Sequence, residues 1–238
     1  MATSMSIREI DTFDIPEELV TLSQANVPLG SIVKTVRTLT IDGILFEIYE
    51  ATFTKDVSDN ITVYLDELDT YKEISSYKKR FSFNIYYDRQ RQMLFSEATT
   101  PVTKSFLKVL KATPGVNVSF HTLQFDLQDI SNRFDQTKGI RFNSDDQGVH
   151  NKSFSGDQVD ENDEALAALQ NQDATQIIGV IDILQHSRTV MLTQSGTIML
   201  FSNLHDLDTK EQPMLEFTVA ALDELGIKKI HEILTDTR

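Results

Sequence analysis

Lysine and arginine residues concentrate in one segment of a chain that is otherwise acidic. The 238 residues include 22 Lys and Arg against 36 Asp and Glu, which gives a formal net charge of −14. Residues 71–118 hold nine of these bases and three acids, so this segment carries +6 and the rest of the chain carries −20. Bases clustered on an acidic protein indicate a local surface for an anionic ligand. We call residues 71–118 the basic segment.

The basic segment predicts contact with either nucleic acid or an acidic protein surface. The −20 outside it would repel a polyanion, so we expect any such contact to be local. The residues that we expect to bind this partner are Lys78, Lys79, Arg80, Arg89, Arg91, Lys104, Lys108 and Lys111.

Residues 80–87 alternate between apolar and polar side chains, as expected for a strand. Phe81, Phe83, Ile85 and Tyr87 share one face, which we expect to pack in a core. Tyr86 lies on the opposite face, and together with Tyr77 would be a platform for base stacking. An RNA-recognition motif is excluded, because its strand needs glycines that are missing here.

A helix is predicted after Pro101, because proline is favoured at the first helical position. Val102, Phe106, Val109 and Leu110 fall on one face of it. The other face carries Lys104, Lys108 and Lys111, spaced four and three residues apart. This row is either an ordinary solvated face or a row of cations along an anionic partner. A helix-turn-helix motif is disfavoured, because strands are predicted before this helix.

Catalytic and metal-binding patterns are weak. The chain has no cysteine, which excludes thiolate chemistry and disulfides and is typical of a reducing compartment. No phosphate-binding loop, nucleophile elbow or dinucleotide fingerprint occurs. The alternative enzymatic hypothesis is a metal-dependent phosphodiesterase or nuclease that uses Asp182 with Asp126, Asp145 or His205. Our preferred interpretation assigns no catalytic residue, no metal site and no cofactor.

The predicted elements describe an α+β fold with a mainly antiparallel N-terminal sheet and a C-terminal α+β half, arranged as two lobes. We place the division between residues 1–98 and 99–238. Strands at residues 32–41 and 44–53 form a hairpin, because Asp42-Gly43 suits a type I′ turn. The first 30 residues are expected to form a short helix, at residues 17–25, and a loop.

Two further predictions concern residues 61–75 and the N-terminus. Residues 61–65 predict a short strand, and residues 66–75 a helical or looped excursion. Residues 1–18 have no basic head or apolar core of the signal-peptide type, and no apolar run is long enough to span a membrane.

The sequence therefore favours a cytoplasmic, non-enzymatic binding or regulatory protein that uses the basic segment. A third hypothesis is self-association, in which the acidic part of one copy docks on the basic segment of another to form a homo-oligomer.

Overall fold

The fold is built on one large antiparallel sheet. A computed structural model describes residues 3–207 and 211–227. The strands are β1 (Thr3–Asp14), β2 (Val20–Gln24), β3 (Val27–Ile41), β4 (Ile44–Leu65), β5 (Thr70–Asp88), β6 (Met93–Ser96), β7 (Asn117–Thr122), β8 (Gln136–Asn143), β9 (Asn151–Ser155), β10 (Ala174–Ile183), β11 (His186–Thr193) and β12 (Thr197–Leu200). The helices are α1 (Thr100–Lys111), α2 (Leu127–Ser131), α3 (Asp163–Gln170) and α4 (Pro213–Glu224).

The expected α+β fold in two lobes is wrong, because a single 12-stranded sheet runs through the described residues. The order of its strands is β2-β3-β4-β5-β6-β1-β12-β11-β10-β8-β9. The remaining strand, β7, pairs with β1 and lies outside this order. β1 joins the two parts of the chain, since it pairs with β6 on one side and with β12 on the other. These ladders are long-range, and residues 3–14 had been expected to lie outside the sheet. The division at residues 98 and 99 stays a prediction.

The two sides of β1 repeat one order of elements. Moving outward from β1, one side has β6, β5 and β4, and the other has β12, β11 and β10. α1 follows β6 along the chain, and α4 follows β12. α1 packs in one hydrophobic cluster and α4 in a second one. Because alternate residues of β5 enter the two clusters, the clusters lie on opposite faces of the sheet.

The predicted hairpin of β3 and β4 is confirmed. Ile41 pairs with Ile44, and the two turn residues Asp42 and Gly43 have φ of 48° and 77°. Both central positions of a type I′ turn need positive φ, which Asp-Gly adopts readily. The helix expected at residues 17–25 is wrong, because Val20–Gln24 pairs with β3 as a strand.

The row of large side chains on β5 packs as predicted, but its opposite face is also covered. Phe83, Ile85 and Tyr87 are buried together with α1, and Phe81 is partly buried beside them. Tyr86 is completely buried on the other face, where its hydroxyl donates to Glu97 at 2.6 Å. Burial and this hydrogen bond both raise the pKa of Tyr86. Tyr86 is therefore a core residue, and its assignment as a stacking platform is wrong.

Among the residues that the structure describes, no helix has both the length and the apolar character needed to cross a bilayer.

Candidate anion-binding surface

A two-stranded ribbon projects from the sheet beside α1. The pairing of β3 with β4 ends at Phe53, and the pairing of β6 with β5 begins at Ile85. β4 and β5 continue together from the pair Thr54–Arg80 to the pair Leu65–Thr70. We call residues 54–80 the arm. At about 3.3 Å per residue it extends roughly 33 Å, and neither of its outer edges is paired with another strand of the described chain.

The strand predicted at residues 61–65 is present as the last part of β4, but the helical or looped excursion predicted for residues 66–75 is wrong over residues 70–75, which form the start of β5. β4 is continuous to Leu65 because a β-bulge at residues 59 and 60 absorbs one extra residue between the pairs Ser58–Ser76 and Ile61–Ile74. The turn is short, consisting of a 3₁₀ turn at Asp66–Leu68 and Asp69 in the left-handed region.

Charge divides the arm into a basic root and an acidic tip. The root, residues 54–59 and 76–80, contains Lys55, Lys78, Lys79 and Arg80 with Asp56 and Asp59, a net +2. The tip, residues 60–75, contains Asp66, Glu67, Asp69 and Glu73 with Lys72, a net −3. The basic segment covers only one of the two strands, so its count left out the acids of β4. The arm as a whole therefore carries a net −1, and its excess of positive charge is confined to the root.

Helix α1 carries cations and no acid. Pro101 is at its start, and the predicted apolar residues Val102, Phe106 and Leu110 are buried, with Val109 partly buried and Leu107 buried in addition. Lys104, Lys108 and Lys111 are exposed on the opposite side. The Lys111 ammonium also lies 6.0 Å from the centre of the Phe120 ring. The predicted row of lysines therefore exists, and it faces solvent.

Aromatic packing places α1 next to the root. The Phe106 ring is 6.0 Å from that of Phe53 and 5.3 Å from that of Phe83. Along the arm, the next pair on this face is Lys55 and Lys79, which lie directly opposite each other. Like charges in directly opposite positions are destabilising. These two lysines and the α1 row thus lie on one side of the sheet.

Lys78 and Arg80 point to the other side of the ribbon, because alternate strand residues face opposite ways. Lys78 lies opposite Asp56, a pairing that lowers its excess charge. The structure therefore places Lys79 on the same side of the sheet as Lys104, Lys108 and Lys111, and it places Lys78 and Arg80 on the other side.

Arg89 and Arg91 already have carboxylate partners in this chain, so their assignment as partner-binding residues stays a prediction and we leave them out of the candidate surface. Arg91 pairs with Asp88, which is completely buried and also accepts hydrogen bonds from the backbone N–H of residues 90 and 91. Arg89 donates to Glu47 at 3.0 Å. Lys34 is 3.2 Å from the same carboxylate.

Glu47 is the centre of this second group of charges. Burial raises its pKa, but hydrogen bonds from Tyr49, Arg89 and Lys34 outweigh burial, and the pKa is lowered overall. The hydroxyl of Tyr49 donates at 2.9 Å. Burial and the Glu47 carboxylate raise the pKa of Tyr49. This network fixes the end of β5 that lies away from the arm.

Ion pairing separates the basic side chains into two groups. Eight described bases have a carboxylate partner within 4.0 Å: Lys34, Arg37, Arg89, Arg91, Arg133, Lys138, Lys152 and Arg188. The bases of the arm and α1 have no ion pair within the described chain: Lys55, Lys72, Lys78, Lys79, Arg80, Lys104, Lys108 and Lys111. Unpaired cations are therefore concentrated on the arm and α1.

The residues of the alternative metal-dependent hypothesis do not form a cluster. Asp182 is exposed on β10 opposite Ser187, and Asp126 caps α2 through the N–H groups of residues 128 and 129. Asp145 and His205 are exposed in separate loops. Across residues 3–207 and 211–227, no group of three or more His, Asp or Glu has the geometry to hold a metal ion.

Sequence reasoning missed Lys55 and the acidic tip. Lys55 lies on β4, outside the basic segment, and becomes part of the surface only through its pairing with Lys79. Lys55 could have been found only by predicting the pairing of β4 with β5 over its whole length, from Ile44 to Asp88. The interruption of the apolar pattern at Asp59-Asn60 concealed that pairing.

Comparison with known proteins adds no relationship to this geometry. The chain matches no protein-family model, and no curated protein matches it significantly.

Proposed function

We propose that this chain is a non-enzymatic binding protein of the cell interior, and that its root and α1 bind an acidic segment of a partner protein. The binding residues are Lys55, Lys79, Lys104, Lys108 and Lys111, which we call the lysine surface. The observation that carries this proposal is that these lysines have no ion pair with the described residues, whereas most other bases of the described chain are paired.

Electrostatics supports an anionic partner. α1 contains three lysines and no acid, and Lys55 and Lys79 repel each other across the ribbon. A carboxylate bound between them would convert that repulsion into attraction. The −14 charge of the whole chain limits attraction to any anion that does not fit this side of the sheet.

The side chains of the lysine surface favour a protein partner over a nucleic acid. All five are lysines, whereas readers of base edges use arginine and amide side chains. Stacking on unpaired bases needs exposed aromatic rings, but Tyr86 is buried, and the exposed rings of Tyr64 and Tyr71 lie in the acidic tip. Simple, flexible ammonium groups suit carboxylates on a mobile acidic segment. The absence of cysteine supports a reducing compartment.

The test measures binding of a fluorescent poly-glutamate peptide and of a single-stranded oligonucleotide of equal charge. We expect the peptide to bind, with an affinity that falls as salt rises, because the contacts are solvent-exposed. The variant K104E/K108E/K111E should weaken peptide binding by at least about tenfold, since roughly 1.4 kcal/mol of lost attraction has that effect.

A matched control changes the net charge equally at another place. The variant R37E/R133E/K138E reverses two exposed bases and one half-buried base that already have carboxylate partners, and it should bind the peptide within about twofold of the unmodified chain. Tighter binding of the oligonucleotide would assign the surface to nucleic acid instead. Equal loss in both triple variants would overturn the proposal.

A further inference from the structure

We infer that the acidic segment bound at the root is the arm tip of a second copy of this chain, so that two arms pair antiparallel in a homodimer. This inference rests on the proposed function and names its partner. The arm supplies three observations that point to a second copy: an unpaired strand edge, opposite charges at its two ends, and exposed apolar side chains at its tip.

The free edge of β5 is suited to adding a strand. A two-stranded hairpin is only marginally stable alone, and its edges can pair with another chain. The bulge at residues 59 and 60 distorts the edge of β4. The extra residue lies on β4, so β5 keeps a regular edge from Thr70 to about Ser82. Pairing through β5 gives a four-stranded ribbon in the order β4-β5-β5-β4.

The division of charge selects the antiparallel orientation. In an antiparallel pair of arms, each tip with its net −3 lies beside the root of the other copy with its net +2. A parallel pair would place tip on tip and root on root. The two-fold symmetry also makes this an isologous contact, in which the same surface serves both copies and closes the assembly at two chains.

A two-fold register centred on Ser76 satisfies both charge and packing. In it, Glu73 lies opposite Lys79 of the second copy, and Tyr71 lies opposite Phe81. Tyr71 is 72% exposed, so this contact would cover a large apolar ring. The register also sets Lys72 against Arg80. Asp56, which lies diagonally across the ribbon from Arg80, offsets part of that repulsion.

The same register brings the tip to the lysine surface. Asp69 of the second copy lies opposite Phe83, the residue whose ring contacts Phe106 of α1. The remaining tip acids, Asp66 and Glu67, then reach the level of α1 and its lysines. Leu68, which is 67% exposed, arrives with them. The contact therefore uses the arm and α1 together, which accounts for the absence of ion pairs on both.

The first experiment measures the mass of the full chain by light scattering at low and high salt. We expect twice the 27.0 kDa of one chain at about 50 mM salt and a shift toward one chain at about 500 mM, because exposed charges are screened. The tip variant D66K/E67K/D69K/E73K and the root variant K78E/K79E/R80E should each be monomeric. A matched control, E17K/E18K/D145K/D182K, reverses four exposed acids elsewhere and should remain a dimer.

The second experiment mixes the two arm variants. The tip variant has a basic tip and a basic root, and the root variant has an acidic tip and an acidic root. Each should repel its own copies and attract the other, so an equimolar mixture should restore a dimer that contains one chain of each. Both variants change exposed residues only, and unchanged thermal unfolding temperatures will confirm that each remains folded.

The outcomes separate this inference from the proposed function. A single-chain mass at every salt and protein concentration, or a mixture that fails to restore the dimer, overturns the arm exchange. If the monomeric protein still binds poly-glutamate through α1, the lysine surface stands and its partner is another protein. If the chain forms a dimer but K104E/K108E/K111E binds poly-glutamate unchanged, the arm exchange stands and the wider lysine surface does not.

Discussion

The two ends of β5 belong to one strand but have opposite physical roles. From Ile85 to Asp88 the strand has neighbours on both edges and covered faces on both sides, and the charge of Asp88 is neutralised by Arg91. From Thr70 to Arg80 the strand pairs only with β4, and its bases lack ion pairs within the described chain. Bases occur at both ends, since Arg89 and Arg91 directly follow Asp88 and a run of three bases, 78–80, lies in the root. Function is therefore better indicated by whether a base is already neutralised than by how many bases occur together.

We call the part of β5 from Ile85 to Asp88 the body end. Its substitution should lower the stability of the fold far more than substitution in the arm. Asp88→Ala removes the partner of the half-buried Arg91 and the acceptor of two backbone N–H groups. Leaving a buried charge without its partner costs about 3–5 kcal/mol, and we expect a loss of that size in the free energy of unfolding measured by urea titration. Lys78→Ala on the arm is the comparison and should change it by less than about 0.5 kcal/mol. Equal effects at the two positions would contradict the division of β5.

Glu47 gives the body end a specific dependence on pH. Its pKa is lower in the folded protein than in the unfolded chain, so its ionisation stabilises the fold above the ordinary value near 4.5. This contribution is lost as pH falls through the lowered folded pKa. We expect Glu47→Gln to destabilise the protein at neutral pH by on the order of 1 kcal/mol and to flatten the acid limb of the stability curve.

The control for this effect is Glu50→Gln. Glu50 is also on β4, but its contact with Arg37 is loose, at 3.7 Å between exposed side chains. Urea titrations at several pH values below 5 should therefore separate the two variants. A Glu50→Gln curve as flat as that of Glu47→Gln would assign the acid sensitivity to general repulsion instead of to the network.

Local patterns in the sequence predicted the parts of the fold that short-range physics controls. Asp42-Gly43 predicted the hairpin, Pro101 and the apolar spacing predicted α1, and the alternation from Phe81 predicted a core face. The pairings of β1 with β6 and β12 connect residues far apart in sequence, and no local pattern encodes them. Those pairings decide that the chain forms one sheet.

The candidate site was predicted in part for the same reason. The lysine row of α1 is a property of one helix, so its spacing was sufficient to find it. Lys55 needed knowledge of strand pairing, and the neutralisation of Arg89 needed the position of Glu47, 42 residues away. Asp88 and Arg91 are only three residues apart, but spacing alone does not show that Asp88 is completely buried and that Arg91 is its partner.

The smallest effect that we predict is also the most specific test of the arm. The free energy of unfolding and the affinity for poly-glutamate should change in opposite directions. Lys55→Glu replaces the repulsion between Lys55 and Lys79 with attraction across the ribbon. Cross-strand pairs of this kind are worth about 0.2–1 kcal/mol, so the free energy of unfolding should rise slightly. Poly-glutamate binding should weaken, because one cation is reversed and the other gains a partner. The comparison is Lys138→Glu, which breaks the contact with Asp157 and should lower the free energy of unfolding slightly while leaving poly-glutamate binding unchanged. A gain in both stability and affinity for Lys55→Glu would mean that the two opposed lysines are not held apart for a carboxylate.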